Sequence, residues 1–314
     1  MTPTARKIII DTDPGQDDAV AILLALASPE LDVLGLTCVA GNVPLPLTQK
    51  NARVICELAG RSDMPIFAGC DAPLQRKLVT AEHVHGKTGL DGITLPDPVM
   101  PLAPGHAVDF IIDSLRREAP GTVTLCPLGP LTNIATAFQK APDIIPRVAE
   151  IVLMGGGYFE GGNITPAAEF NIYVDPEAAD IVFRAGVPLV VMPLDVTHRA
   201  LTSRDWVEGM RSLGTQTGRA VASWTDFFER YDTAKYGSLG APLHDPCVIA
   251  YLIRPSLFQG RHIHVAIELQ GTHTLGMTVA DWWRVTDHAP NAMFMGQVDR
   301  DGLFALLTER IAQL

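Results

Sequence analysis

Five apolar runs of strand length, residues 7–11, 31–39, 122–126, 150–154 and 188–192, recur along the first two-thirds of the chain. Between them lie segments with helical apolar spacing, residues 17–27, 47–59, 105–118, 131–139 and 176–184. This alternation constrains the fold more than any other feature. Consecutive parallel strands need a crossover, and the crossover is a helix that packs back on the sheet in the right-handed sense. The expected class is α/β, built on a mostly parallel, Rossmann-like central sheet with extra C-terminal helices and strands. In that C-terminal third, helices are expected over 203–213, 217–231 and 245–253, strands over 263–269, 276–279 and 292–298, and a closing helix over 303–311. No low-complexity linker or fixed-period repeat divides the chain, so residues 1–314 are expected to form one domain.

Composition narrows the partners. With 47% hydrophobic and 19% charged residues the chain can bury an extensive core. Its 35 acidic and 24 basic residues leave a net charge of −11, with no compensating run of Lys or Arg, which argues against a nucleic-acid groove or an anionic membrane surface. The longest apolar stretch, residues 19–27, closes at Ser28-Pro29 and falls well short of the roughly 20 residues that cross a bilayer. Ile8-Ile9-Ile10 is too brief for a secretory core. Cys38, Cys56, Cys70, Cys126 and Cys247 form an odd set without a CxxC pair, as expected of free thiols in a soluble cytoplasmic protein.

The chemistry concentrates just after the first strand, where Asp11, Asp13, Asp17 and Asp18 fall within eight residues. Asp11 and Asp13 share a face if the strand continues that far. Pro14-Gly15 turns the chain, and Asp17 and Asp18 enter a first helical turn, where the macrodipole favours negative charge. A capped helix with solvated acids explains one or two of these carboxylates. Four converging ones repel each other unless a cation neutralises them, and an oxygen-only donor set favours Ca²⁺ or Mg²⁺ over zinc. An EF-hand is excluded, because counting from Asp11 the sixth residue is Gln16 and the twelfth Ile22, where that loop needs Gly and Glu.

Other polar or glycine-rich segments follow the strand ends: Gly41-Asn42, Gly129-Pro130, Gly155-Gly156-Gly157 and Asp195. Each is ordinary turn chemistry alone, but together they describe the rim where open α/β sheets bind ligands. Neither GxGxxG nor GxxxxGK[ST] is present, so a nucleotide phosphate loop is not indicated. His244-Asp245-Pro246 precedes a helix, where Asp245 reads equally as a cap or as part of the acidic site.

These segments, in this order, resemble the inosine-uridine-preferring nucleoside hydrolases, which are calcium-dependent N-ribohydrolases. The resemblance runs over nearly the whole chain: the Asp11 to Ala19 opening, Ala40-Gly41-Asn42, His83-Val84-His85-Gly86, Gly129-Pro130-Leu131-Thr132-Asn133, Met154 with its three glycines, Ala168-Glu169-Phe170-Asn171, Asp175-Pro176-Glu177-Ala178 and His244-Asp245-Pro246. It implies Ca²⁺ held by Asp13, Asp18, the Leu128 carbonyl and Asp245, with the ribose diol completing the shell. It further implies Asp13 as general base, Asp17, Asn42, Asn163, Glu169 and Asn171 around the ribose, Met154 beneath it, and His85 and His244 facing the base. His244 is the candidate leaving-group acid, and Tyr231 a weaker candidate to cover the base. The family often carries Thr where Leu128 stands, which matters little for a main-chain ligand. The implied partner is a small ribonucleoside, and the implied assembly a homo-oligomer, dimer or tetramer.

Two other readings compete. Ile10-Asp11-Thr12-Asp13 also resembles the DxD strand end of aspartyl-phosphate phosphohydrolases, but lysines occur only at 7, 50, 77, 87, 140 and 235, and no phosphate-binding Lys with a second acidic pair is evident. A non-catalytic ribonucleoside-binding protein would use the same pocket; Asp13 and His244 argue against it.

Overall fold

A computed structural model describes residues 5–237 and 240–314, with residues 232 and 236 described in their backbone only. The chain opens with β1 (Arg6–Thr12), α1 (Gln16–Leu26), β2 (Leu31–Cys38), α2 (Leu45–Leu58) and β3 (Ile66–Ala68), followed by a short α3 (Glu82–His85) and α4 (Ala107–Arg117). It continues through β4 (Val123–Pro127), α5 (Thr132–Lys140), β5 (Val148–Met154), α6 (Phe170–Val174), α7 (Pro176–Phe183) and β6 (Leu189–Met192). Helices α8 (Leu194–Thr197), α9 (Arg204–Ser212), α10 (Gln216–Tyr236) and α11 (Pro246–Ile253) precede β7 (Phe258–Ile263), β8 (Val265–Ile267), β9 (Thr278–Ala280), β10 (Ala292–Val298) and α12 (Arg300–Ile311).

Among the described residues, eight strands form one sheet in the order β3-β2-β1-β4-β5-β6-β10-β7, and β8 pairs with β9 apart from it. Neighbours in the large sheet run parallel except for β7, which is antiparallel to β10 at one edge. The expected α/β class with a mostly parallel sheet is what forms, and its first six strands take the 3-2-1-4-5-6 order of dinucleotide-binding folds.

The triplet Ile8-Ile9-Ile10 shows why these runs make strands: with a period of two, Ile8 and Ile10 pack among α1, α2, α10, α11 and α12, while Ile9 packs among α4, α5 and α7. Helices thus cover both faces, and a strand buried on both faces has no polar side to alternate with.

Short helices α3, α6 and α8 were not expected, and three further departures have a plain physical reason. Strand β3 has only three residues, too few to register as a run. Strand β7 is buried only at Phe258 and Ile263, with exposed residues between them, so an edge strand carries almost no apolar signature. Helix α10 runs on to Tyr236 before Gly237, in the left-handed region at φ 67°, ends it; Thr233, Ala234 and Lys235 near its end are exposed and give no apolar spacing. None of the described helices is long and apolar enough to cross a membrane.

Candidate active site

Strands β1 and β4 lie side by side with Asp11 opposite Pro127, yet the chain builds outward from them toward opposite edges of the sheet. Connections diverge at such a switch point and leave a crevice beyond the carboxyl ends of the strands. The acidic segment after β1 and the turn after β4 both enter it.

Strand β1 ends at Thr12, so the chain turns before Asp13 can share a face with Asp11. Asp11 stays on the α5 side, where its Oδ1 accepts from Thr37 Oγ1 at 2.6 Å and from Asn133 Nδ2 at 2.7 Å. The expectation that Asp11 joins the cluster is therefore corrected: it braces the strand end from behind. Thr12 points the other way and donates to Asp18 Oδ1 at 2.5 Å, while Gly15 N–H donates to Asp18 Oδ2 at 2.9 Å, fixing the first turn of α1.

Asp13 is held between two glycines. A Cβ at Gly41 or at Gly129 would run into its carboxylate, which explains both glycines as sites of close approach. The Asn42 N–H donates to Asp13 Oδ2 at 2.7 Å, and the Asn42 side chain reaches the Asp13 carbonyl at 3.1 Å and Asp18 Oδ2 at 3.4 Å. Asp13 Oδ1 is buried without any hydrogen-bond partner.

The last acid arrives from far along the chain. Asp245 stands at the N-cap position of α11, but its side chain makes no cap hydrogen bond. It lies instead with Asp17 and Asp18, ligand atoms of all three falling within 4.8 Å of one another. Burial, then the charges of its neighbours, pushes Asp13 and Asp245 well above the usual carboxylate range, and burial with the charge of Asp18 pushes Asp17 up to about 7. Buried carboxylates that raise each other's pKa, oxygen-only donors and an orphaned Asp13 oxygen fit a hard divalent cation. Leu128 O, implied as a further ligand, accepts from Asn171 Nδ2 at 2.6 Å, which leaves a carbonyl its second lone pair.

The cluster opens into a cavity that is open to solvent. Asp17, Asn42, Leu128, Met154, Asn163, Glu169, Asn171, His85, His244, Asp245 and Tyr231 all line it, so the expected site residues converge here apart from Asp13 and Asp18, which lie behind the cavity surface. Glu169 caps α6, accepting from Asn171 N at 2.9 Å, Gly156 N at 3.0 Å and Ile172 N at 3.3 Å, and burial lifts its pKa to about 7. The glycine run after β5 thus serves Glu169. Asn163 Oδ1 accepts from Phe170 N at 2.8 Å, tying the preceding loop to α6. Asp195, expected on the rim, instead anchors that loop by accepting from the N–H groups of Tyr158, Phe159 and Glu160.

The remaining lining is a chain of rings. His85 stacks on Phe228 at 5.4 Å, Phe228 meets His244 edge-on at 6.3 Å, and His198 lies 5.6 Å from His244. His244 Nδ1 pairs with Thr197 Oγ1 at 2.7 Å, and burial, with the nearby His198 and His85, holds His244 well below the ordinary imidazole range. Tyr231 is present at the cavity, its hydroxyl accepting from Lys235 Nζ at 2.8 Å. Sequence reading missed Thr197, His198 and Lys235; the first two lie just beyond Asp195 and Val196, at a strand end already marked as rim.

A model of the family described as inosine-uridine preferring nucleoside hydrolase matches residues 8–305. The chain is 52% identical over 308 residues to an uncharacterized protein of Schizosaccharomyces pombe, covering 98% of this chain and 99% of that protein. It is 49% identical over 309 residues to the pyrimidine-specific ribonucleoside hydrolase RihA of Photobacterium profundum, covering 98% and 99%. Among solved structures, the purine-preferring ribonucleoside hydrolase from Gardnerella vaginalis superposes with a TM-score of 0.92 at 34% identity, covering 98% of both chains. A switch-point crevice that brings acids and amides to one cavity is thus, in this chain, the setting of a nucleoside hydrolase. The chain belongs to the inosine-uridine-preferring nucleoside hydrolase family and is an enzyme of that class.

Proposed function

We propose that this enzyme uses Ca²⁺ to hydrolyse the N-glycosidic bond of inosine, uridine and cytidine, giving ribose and the free base. One observation carries the reading: Asp13 Oδ1, buried and without a partner, stands beside Asp17, Asp18 and Asp245 behind a cavity lined with amides and carboxylates. Asp13, Asp18, Asp245 and the Leu128 carbonyl are the residues to hold Ca²⁺, which when bound supplies fixed positive charge that polarises water and ribose hydroxyls.

The chain's own residues do the rest. Asn42 N–H occupies Asp13 Oδ2, leaving Oδ1 to take the proton of the attacking water. Asp17, Asn42, Asn163, Glu169 and Asn171 grip the ribose and favour the positive charge that develops there, and Met154 packs beneath the sugar. His85 and His244 face the base, and His244 is the leaving-group acid; its Nδ1 is taken up by Thr197 Oγ1, which leaves Nε2 to meet the base. The higher identity to a pyrimidine-specific enzyme supports uridine and cytidine as the better substrates. Five free thiols, four of them buried, support a cytoplasmic setting.

The test is ribose release across a nucleoside panel. Ribonucleosides should be cleaved, while 2′-deoxyribosides, lacking one hydroxyl of the diol, should lose at least roughly 10²-fold in kcat/KM. Nucleoside 5′-monophosphates should also be poor, because phosphate would meet Asp17, Glu169 and Asp245. Efficient cleavage of a monophosphate or a deoxyriboside contradicts the assignment of these residues to the ribose.

A further inference from the structure

Gln16 opens α1 and is only 2% exposed, yet the reaction as derived above gives it no task. Its side-chain Nε2 donates to two carbonyl oxygens, that of His85 at 2.9 Å and that of Asp91 at 3.0 Å. Turning the amide over would set its oxygen against both carbonyls, so the orientation is determined by the partners. The other amide atom, Oε1, lies 2.7 Å from His85 Nδ1. An amide oxygen only accepts, so Nδ1 must carry the hydrogen. We propose that Gln16 is a positioning residue that fixes His85 as its Nδ1–H tautomer, making Nε2 a hydrogen-bond acceptor for an N–H group of the nucleobase.

Three further observations support this. His85 is 7% exposed and lines the cavity, and among the described residues its Nε2 has no protein partner. Its ring is confined, stacked on Phe228 at an interplanar angle of 25° on one side and packed against Gly15 so closely that a Cβ there would strike it. Burial pushes the imidazole down to about 3, so a neutral ring with one lone pair is the form that meets substrate. Thr197 imposes no such choice on His244, because a hydroxyl can donate or accept. Gln16 also joins the start of α1 to the end of α3, so the helix that carries Asp17 and Asp18 sets the imidazole as well.

The inference rests on the cavity being a ribonucleoside site, and it adds a rule for the base: one edge must present an N–H donor, as uracil does at N3. The test has two readouts. Two-bond ¹H–¹⁵N correlation on the histidine-labelled, Ca²⁺-loaded enzyme reports which ring nitrogen of His85 is protonated, with the signal assigned by its loss in His85→Phe. Protonated Nδ1 and bare Nε2 are expected; protonated Nε2 overturns the proposal, whatever the activity. The second readout compares uridine with 3-deazauridine, which carries C–H in place of N3–H and a 4-hydroxyl in place of the 4-oxo group, so that no donor remains at position 3. In the wild type uridine should be favoured by roughly 10–100-fold in kcat/KM, and Gln16→Leu should shrink that ratio to within about threefold, mainly through KM. Intrinsic differences in leaving ability cancel between the two enzymes. An unchanged ratio in Gln16→Leu, with both substrates slowed alike, reduces Gln16 to a structural role and overturns the proposal. If Gln16→Leu does not fold, the wild-type tautomer still decides, and absence of ribose release from every nucleoside would fault the underlying functional reading instead.

Discussion

Asp13→Asn is expected to lower turnover on ribonucleosides by at least roughly 10²-fold while leaving the site able to bind ribose-mimicking inhibitors. The substitution keeps the volume that Gly41 and Gly129 enclose, so the strand end need not move. The amide oxygen can occupy the Oδ2 position and continue to accept from Asn42 N–H, with its second lone pair left for the cation, and this places the amide nitrogen where Oδ1 stood. The variant thereby loses a buried carboxylate oxygen that has no protein partner, and with it the group assigned to remove the proton from water. Single-turnover ribose release paired with inhibitor titration separates the two effects. A variant with near-normal turnover would move the base elsewhere, and Asp17, on the cavity surface, is the next residue to examine.

The second large effect is expected at His244, through its dependence on the leaving group. A departing purine or pyrimidine is a poor anion that gains from protonation, whereas p-nitrophenolate leaves readily without help. His244→Ala should therefore lose roughly 10²–10⁴-fold in kcat on inosine or uridine and much less on p-nitrophenyl riboside, with Ca²⁺ affinity nearly intact. A defect in packing behaves otherwise, because His244 contacts Thr197, Phe228 and His198, and loosening that wall would penalise both substrates. Equal losses on both, or a parallel loss of Ca²⁺ binding, would return His244 to a structural role and direct attention to His85 or Tyr231.

Both expectations rest on residues that were legible in the sequence, for physical reasons that differ. The sheet was legible because strands buried on both faces must be apolar throughout, as at Ile8 to Ile10 and Ile151 to Leu153. Strand β7 was not, because an edge strand buried only at its ends has no such constraint. Asp17 and Asp18 were legible as local neighbours in one helical turn. Whether Asp13 joined them was a question of where β1 stops: one more residue of strand would have left Asp13 on the same face as Asp11, away from Asp18 and Asp245. Periodicity cannot place that stop. Gln16 and Thr197 were invisible for another reason: each acts through a histidine distant in sequence, and only the folded chain brings Gln16 to His85 or Thr197 to His244.

The central claim, that Asp13, Asp18 and Asp245 with the Leu128 carbonyl form a Ca²⁺ site on which ribose release depends, is tested most directly by calorimetric titration of Ca²⁺ into chelator-stripped enzyme, with ribose release followed in the same samples. The stripped enzyme should be inactive on uridine and recover in proportion to the Ca²⁺ bound. Because burial and mutual repulsion raise Asp13 and Asp245 and bring Asp17 to about 7, the metal-free cluster holds protons near neutral pH. Binding should therefore release protons, visible as a heat that changes with the ionisation enthalpy of the buffer. Undiminished ribose release from enzyme that binds no Ca²⁺ would contradict the account.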